Sequence, residues 1–327
     1  MPPTTDALPC SRTGRHGVKS LLTLAALLAA LNCAAEVVYD RPVTAAIDSG
    51  GVEYFIQGKE GATPAGNARC EDGLFYSDHF IAVFDGATDK SGKSYDGKKG
   101  GRIARELIAG VFEQLPPDAG REDVLQRINA AYQAFYAAHP DMDFARNPLW
   151  RPTATLIWYS FARKELAAVG DSKARVDGVT YNDAGKLVDL LNSDLRVKVI
   201  RHLNLSDAEV AKNDLGRYYI LPLLERQSAF QNNPKAPKAF QYWAIDGFDI
   251  PAEEVLVWRF DKTPAVIELS SDGYENYPAT SSVKAYEEDF AKFLKEDPQR
   301  IKNPSTKGLQ EGNVSFDDRA VLIYQGK

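Results

Sequence analysis

Four short acidic motifs recur in order along the chain: Phe84-Asp85-Gly86, Gly170-Asp171-Ser172, Ser271-Asp272-Gly273 and Phe316-Asp317-Asp318. Each follows or enters an apolar run, and glycines beside the acids permit tight turns with close backbone approach. Aspartates gathered at strand ends repel one another unless positive charge stands between them. A divalent cation is the simplest source of that charge, and oxygen-only ligation points to Mg²⁺ or Mn²⁺.

The elements that must position these acids are visible as patterning. Val52–Ile56, Ile81–Phe84, Thr153–Tyr159, Leu166–Val169, Ala265–Leu269 and Ala320–Tyr324 read as strands, with further strands expected at Val37–Tyr39, Arg175–Val179, Tyr242–Ile245 and Val255–Trp258. Glu71 to Asp85 reads as a hairpin with Gly73 and Asp78 at its turns, and Gly58 to Gly66 as a loop. Ile103, Leu107 and Val111 repeat at helical spacing, as do Val124, Ile128 and Tyr132. The stretch from Asp183 to Asn232 is helical and polar, and Tyr286 to Leu294 is a last helix. Strands, two helices, strands, helices, strands argue for an α+β fold of antiparallel sheets with helices outside.

Composition narrows the function classes. At 327 residues and 44% hydrophobic the chain can bury a large core, and a formal charge of -6 without a basic, aromatic-interleaved segment argues against nucleic acid as partner. Cys10, Cys33 and Cys70 have neither zinc-site spacing nor the even number a disulfide framework needs. His79, His139 and His202 lack ligand spacing and read as surface or capping residues. Residues 1–35 read as a secretory leader: Arg12, Arg15, His16 and Lys19 precede the apolar stretch Leu21 to Leu31, and Cys33-Ala34-Ala35 offers a cleavage site. That run is short for a membrane span, so the mature chain, 36–327, is expected as one domain with no stable span, periplasmic or secreted. The alternative is an amphipathic or buried N-terminal helix on a cytoplasmic protein.

The ordered set Glu71-Asp72, Val83-Phe84-Asp85-Gly86, Gly170-Asp171-Ser172, Ser271-Asp272-Gly273 and Asp317-Asp318 resembles the PPM-type, or type 2C, metal-dependent serine/threonine protein phosphatases, from about Val52 to Tyr324. The resemblance implies two stacked antiparallel sheets flanked by helix pairs, a four-layer αββα sandwich. It implies that Asp85 bridges two Mn²⁺ or Mg²⁺ ions, that the Gly86 carbonyl binds one, and that Asp272 and Asp317 complete the other. Glu71 and Asp72 would hold metal-bound waters, and Asp171 matches a third, weaker site. The implied activity is hydrolysis of phosphomonoesters, phosphoserine or phosphothreonine in proteins or a small phosphate ester, by a hydroxide between the two cations.

Three positions depart from the pattern. Ala87 stands where many members carry a histidine after Asp-Gly, a candidate general acid. Asn67 takes the place of the phosphate-binding arginine, with Arg69 near but out of register. Asn276 replaces an acid, which weighs against a third ion. These departures keep open a catalytically weak or inactive protein of the same fold that binds or regulates. Ser281-Ser282-Val283-Lys284 has the Ser-x-x-Lys form of penicillin-binding enzymes but lacks a companion Lys-Thr-Gly.

Overall fold

The computed structural model describes residues 37–182 and 185–327; the leader reading, together with Asp183 and Ala184, lies outside the described residues. In chain order the strands are β1 (Val43–Ile47), β2 (Gly50–Gln57), β3 (Asp72–Tyr76), β4 (Phe80–Gly86), β5 (Ala154–Ser160), β6 (Glu165–Val169), β7 (Lys173–Val176), β8 (Val179–Tyr181), β9 (Leu256–Arg259), β10 (Val266–Ser270) and β11 (Arg319–Gly326). The helices are α1 (Pro64–Arg69), α2 (Gly100–Phe112), α3 (Arg121–Ala137), α4 (Leu187–His202), α5 (Asp207–Lys212), α6 (Leu215–Arg226) and α7 (Val283–Glu296). Among the described residues the strands form two antiparallel sheets, a six-stranded one ordered β1-β2-β11-β10-β7-β8 and a five-stranded one ordered β3-β4-β5-β6-β9.

Side-chain alternation explains why β4 and β5 read as unbroken apolar runs. Both faces of these strands are buried. Ile81, Val83, Ile157 and Tyr159 point into the core between the sheets, against Tyr54, Ile56, Ile267, Leu269, Ala320 and Leu322. Their neighbours Phe80, Ala82, Phe84, Leu156 and Trp158 point the other way, into the apolar faces of α2 and α3. There Ala104, Ile108 and Phe112 of α2 and Val124, Ile128 and Tyr132 of α3 repeat at helical spacing. On the outer face of the six-stranded sheet, Val283, Tyr286 and Phe290 of α7 pack on Phe55, Val321 and Ile323. The result is an α+β sandwich with sheets inside and helices outside.

Between β8 and β9 the chain inserts α4, α5 and α6. A buried guanidinium ties this insertion down: Arg196 Nε donates to Asp214 Oδ2 at 2.7 Å, and its Nη1 donates to the carbonyls of Gln299 at 2.9 Å and Ser305 at 3.2 Å. The two carbonyl bonds join the insertion to the loop before β11.

Several local expectations are corrected. Val37–Tyr39 is not a strand; the Val38 amide donates to the Tyr54 hydroxyl, and pairing begins at β1. Tyr242–Ile245 makes isolated bridges rather than a strand, because the Asn232 side chain pairs with both backbone groups of Ala244, at 2.8 Å and 3.0 Å. Gly73 lies inside β3, not at a turn, and leaves room for the Phe84 ring. The Gly58–Gly66 loop ends in α1, whose N-cap is Thr63.

Gly170 occupies the crossing from β6 to β7. Its φ of 87° and a Cβ position only 2.5 Å from Thr155 Cγ2 leave no room for a side chain. Gly170→Ala should therefore cost about 1–3 kcal/mol of stability in denaturant unfolding, and an unchanged midpoint would contradict this strain.

Candidate active site

The register of the five-stranded sheet sets Asp72 directly opposite Asp85, so two carboxyls share one face at the end of the β3–β4 hairpin. Glu71 precedes Asp72, and its carbonyl accepts from the Gly86 amide at 3.1 Å. Gly86 must be small, since a Cβ there would lie 2.4 Å from the Gly101 carbonyl oxygen at the start of α2. The six-stranded sheet supplies the remaining acids: Asp272 just beyond β10, Asp317 and Asp318 just before its neighbour β11. Ser271 extends that pairing past the strand end, its amide donating to the Ala320 carbonyl at 3.0 Å and its Oγ accepting from the Ala320 amide at 2.9 Å. Five of the sequence-derived acids thus meet at one end of the seam between the sheets, joined by Asp318.

Like charges in this confinement change their protonation. Burial, then the charges of Asp72, Asp272 and Asp317, push the Asp85 carboxyl far above the usual aspartate range, and Asp85 shares a hydrogen bond with Asp272. Asp272 faces the cleft and is reached by solvent, yet its confinement among protein atoms and the charge of Asp317 raise it too. Burial also raises Asp72 and Glu71. Asp72 Oδ2 is buried without a hydrogen-bond partner. Burial opposes ionisation of Asp317 as well, but Lys307 and Lys59 outweigh it and hold that carboxyl below its ordinary value.

Sequence patterning did not point to these two lysines. Lys59 follows β2 and sends Nζ between Glu71, Asp318 and Asp317 at 3.5, 3.5 and 3.6 Å. Lys307 pairs with Asp317. Asp318 acts as a clamp, accepting from the Lys59 amide at 2.7 Å and the Glu71 amide at 2.8 Å. A Gln-Gly-Lys turn after a strand was the available signal for Lys59, and a weak one.

Whether this centre suits a divalent cation can be judged from its own chemistry. Six carboxyls, Glu71, Asp72, Asp85, Asp272, Asp317 and Asp318, face two ammonium groups, Lys59 and Lys307, which leaves four charges unmatched when all ionise. The donors are hard oxygens, one of them unpartnered, and a carboxyl proton fills part of the deficit; all of this fits Mg²⁺ or Mn²⁺. Among the described residues, no three His, Cys, Asp or Glu side chains stand converged for ligation as they lie. Carboxyl rotation out of the present hydrogen bonds is needed.

Asp171 lines the same cleft, where Lys186 Nζ pairs with it at 2.9 Å. Asn276 pairs with Asp289 on the surface, and Glu275 with Arg300 at 2.7 Å. Arg69 is exposed, paired with Glu60, and absent from the cleft lining. Asn67 donates to Asp40. Ser282 caps α7 and Ser281 donates to Glu268, so the Ser-x-x-Lys string is structural. His139 stacks among Phe135, Tyr95 and Phe144.

The acids open onto a cleft of about 360 Å³, whose far wall comes from α4, α6 and the loop before β11. Lys90, Lys186, Arg217 and Lys307 line it together with Asp85, Asp272 and Asp317.

No family profile and no curated protein matches this sequence. Solved structures do match. A serine/threonine phosphatase of Mycobacterium tuberculosis, PstP/Ppp, is 15% identical over 84% of this chain and 99% of its own, with a TM-score of 0.42. RsbX in complex with magnesium is 12% identical over 88% of this chain and 100% of its own, with a TM-score of 0.43. The serine/threonine phosphatase Stp1 from Staphylococcus aureus is 12% identical over 89% of this chain and 100% of its own, with a TM-score of 0.41.

Two outcomes are expected. Asp318→Ala strands two buried amides and should cost about 2–4 kcal/mol in denaturant unfolding, whereas a near-neutral effect would contradict the clamp. In chelator, Asp272→Asn should raise the melting temperature of the protein at neutral pH. The sign follows from the raised carboxyl: its favourable contribution is complete below the unfolded-state value, about 3.9, and is lost as pH rises through the higher folded value. The gain should therefore vanish near pH 4 in thermal melts, and a gain of equal size there would refute this origin.

Proposed function

We propose that the chain is a divalent-cation-dependent phosphomonoester hydrolase, acting on phosphoserine or phosphothreonine in proteins or on a small phosphate ester. The observation that carries this reading is the Asp85–Asp272 carboxyl pair, one acid from each sheet, at the floor of a cleft lined by cations. Asp85, Asp272, Asp317 and the Gly86 carbonyl would hold two Mn²⁺ or Mg²⁺ ions, with Glu71 and Asp72 positioning water. Bound cations supply a water of lowered pKa and offset charge on the phosphoryl oxygens.

The chain's own residues do the rest. The strand register and the Ser271 clamp hold the backbone that carries the acids, so that only their side chains have to turn toward a ligand. Asp318 ties the backbone of Glu71 to that of Lys59 by accepting from both amides. Ala87 brings no proton donor to the leaving oxygen, so that proton comes from water or another cleft residue. Asp171, balanced by Lys186, is proposed to hold the cleft wall rather than an ion.

Lys59 supports a second reading. An ammonium group already within 3.6 Å of Glu71, Asp317 and Asp318 can stand in for a cation, as in a non-catalytic binding protein of this fold. Mn²⁺ titration separates the two. Wild-type protein that takes no Mn²⁺ while Lys59→Met does would favour the second reading; wild-type uptake favours the first, and Lys59→Met should then tighten it by about tenfold.

Asp85→Asn should lower metal-dependent hydrolysis of an aryl phosphate by on the order of 10³-fold or more, with the fold intact by circular dichroism. Wild-type turnover in that variant would refute the proposed centre.

A further inference from the structure

The cleft holds more positive charge away from the acids than a lone phosphate needs. Its lining cations divide into two groups. Lys186 is neutralised by Asp171 at 2.9 Å and Asp189 at 3.9 Å, Arg300 by Glu275, and Lys307 by Asp317. Lys173, whose Nζ donates to the Glu275 carbonyl at 3.1 Å, Lys90 and Arg217 are not: among the described residues no carboxylate oxygen stands within 4.0 Å of any of the three. Lys90 Nζ donates to the neighbouring Thr88 carbonyl at 3.1 Å, and Arg217 Nη1 to the Thr306 carbonyl at 2.7 Å. Neither bond removes a charge.

Both side chains are half-buried, so neither ion is fully solvated. Leaving such charges unmatched is costly, and burial with the nearby charges of Lys307 and Arg217 pushes Lys90 down to about 8. Protein interiors rarely keep unpaired cations together without a ligand to receive. The two ends of the cleft are complementary: carboxyls outnumber cations at the acid end, while Lys90 and Arg217 feel Asp189, Asp214 and Asp317 only from beyond pairing distance.

Building on the phosphatase reading, we propose that Lys90 and Arg217 form an anion subsite, and that the substrate is a small phosphoester carrying a second phosphate group. One phosphate meets the Asp85–Asp272 end, and the other is received by the lysine and guanidinium. The cleft size, about 360 Å³, sits at the lower end of small-ligand pockets and suits a compact bisphosphate. Arg217 presents a planar fork matched to phosphate oxygens, and Lys90 a point charge. The anchor of Arg196 on Asp214 fixes the start of α6, on which Arg217 lies, relative to the loop before β11.

Calorimetric titration of the full chain in chelator tests the subsite without turnover. Inorganic pyrophosphate should bind at least tenfold more tightly than orthophosphate, and Lys90→Met and Arg217→Gln should each remove most of that preference while melting near wild type. Equal affinity for the two anions, or a preference unchanged in both variants, overturns the subsite. With Mn²⁺, the ratio of kcat/KM for fructose 1,6-bisphosphate to that for nitrophenyl phosphate should fall at least tenfold in Lys90→Met. Pyrophosphate preference without hydrolysis of any ester would sink the phosphatase reading and leave the subsite standing. Hydrolysis of nitrophenyl phosphate without pyrophosphate preference would sink the subsite alone.

Discussion

Carboxyl groups crowded into the seam between two sheets are the constraint on which the site depends. The pairing of Asp72 with Asp85 is built into the β3–β4 register and cannot be relaxed without slipping the hairpin, which would turn Ile81 and Val83 out of the core. Asp272 and Asp317 come from the other sheet on neighbouring strands, held by Ser271. Two unit charges 4 Å apart repel by about 4 kcal/mol at an effective dielectric near 20, so several together threaten a stability of only about 5–15 kcal/mol. The chain answers in three ways: Asp85 is pushed toward its neutral form, Lys59 and Lys307 shield Asp317, and backbone amides satisfy Asp318. What is left is negative charge that the neighbouring lysines do not match.

The helical insertion gives the other half of the site its character. It contributes little to the sandwich core, whose apolar contacts come from α2, α3 and α7. It is held instead by polar bonds, chief among them those of Arg196 to Asp214 and to the Gln299 and Ser305 carbonyls. Directional bonds of this kind fix position more sharply than apolar burial does, and they set Arg217 across the cleft from the acids. The acid end is thus dictated by sheet register, and the position of Arg217 on the opposite wall by the insertion.

Sequence patterning located most of the strands and all the acids because both signals are local. Ile81 to Phe84 must be apolar throughout when both faces of β4 are covered, and Ile103, Leu107 and Val111 must recur on one side of α2. The Asp-Gly and Gly-Asp pairs are equally visible, but only the family resemblance gathered the acids into one site, and Asp85-Gly86 ends β4 rather than forming a turn. Lys59, Lys90, Lys307 and Arg217 carry no such mark. Each is a single cation in a polar stretch, and its meaning lies in side chains tens or hundreds of positions away. Arg196 was hidden the same way, inside a helix that reads as polar. The strand expected at Tyr242–Ile245 failed because a side chain, Asn232, took the backbone bonds a neighbouring strand would have used.

Proton-linked binding of Mn²⁺ reports on the central claim most directly. On the proposed reading, cation binding needs Asp85 and Asp272 as anions and so draws protons from carboxyls that burial and like charge push up. Calorimetry of metal-free protein in buffers of different ionisation enthalpy, just below neutral pH, should show saturable Mn²⁺ uptake with a buffer-dependent heat equal to about one released proton. Absence of saturable uptake, or uptake with the same heat in every buffer, would contradict the claim that the carboxyl pair awaits a cation.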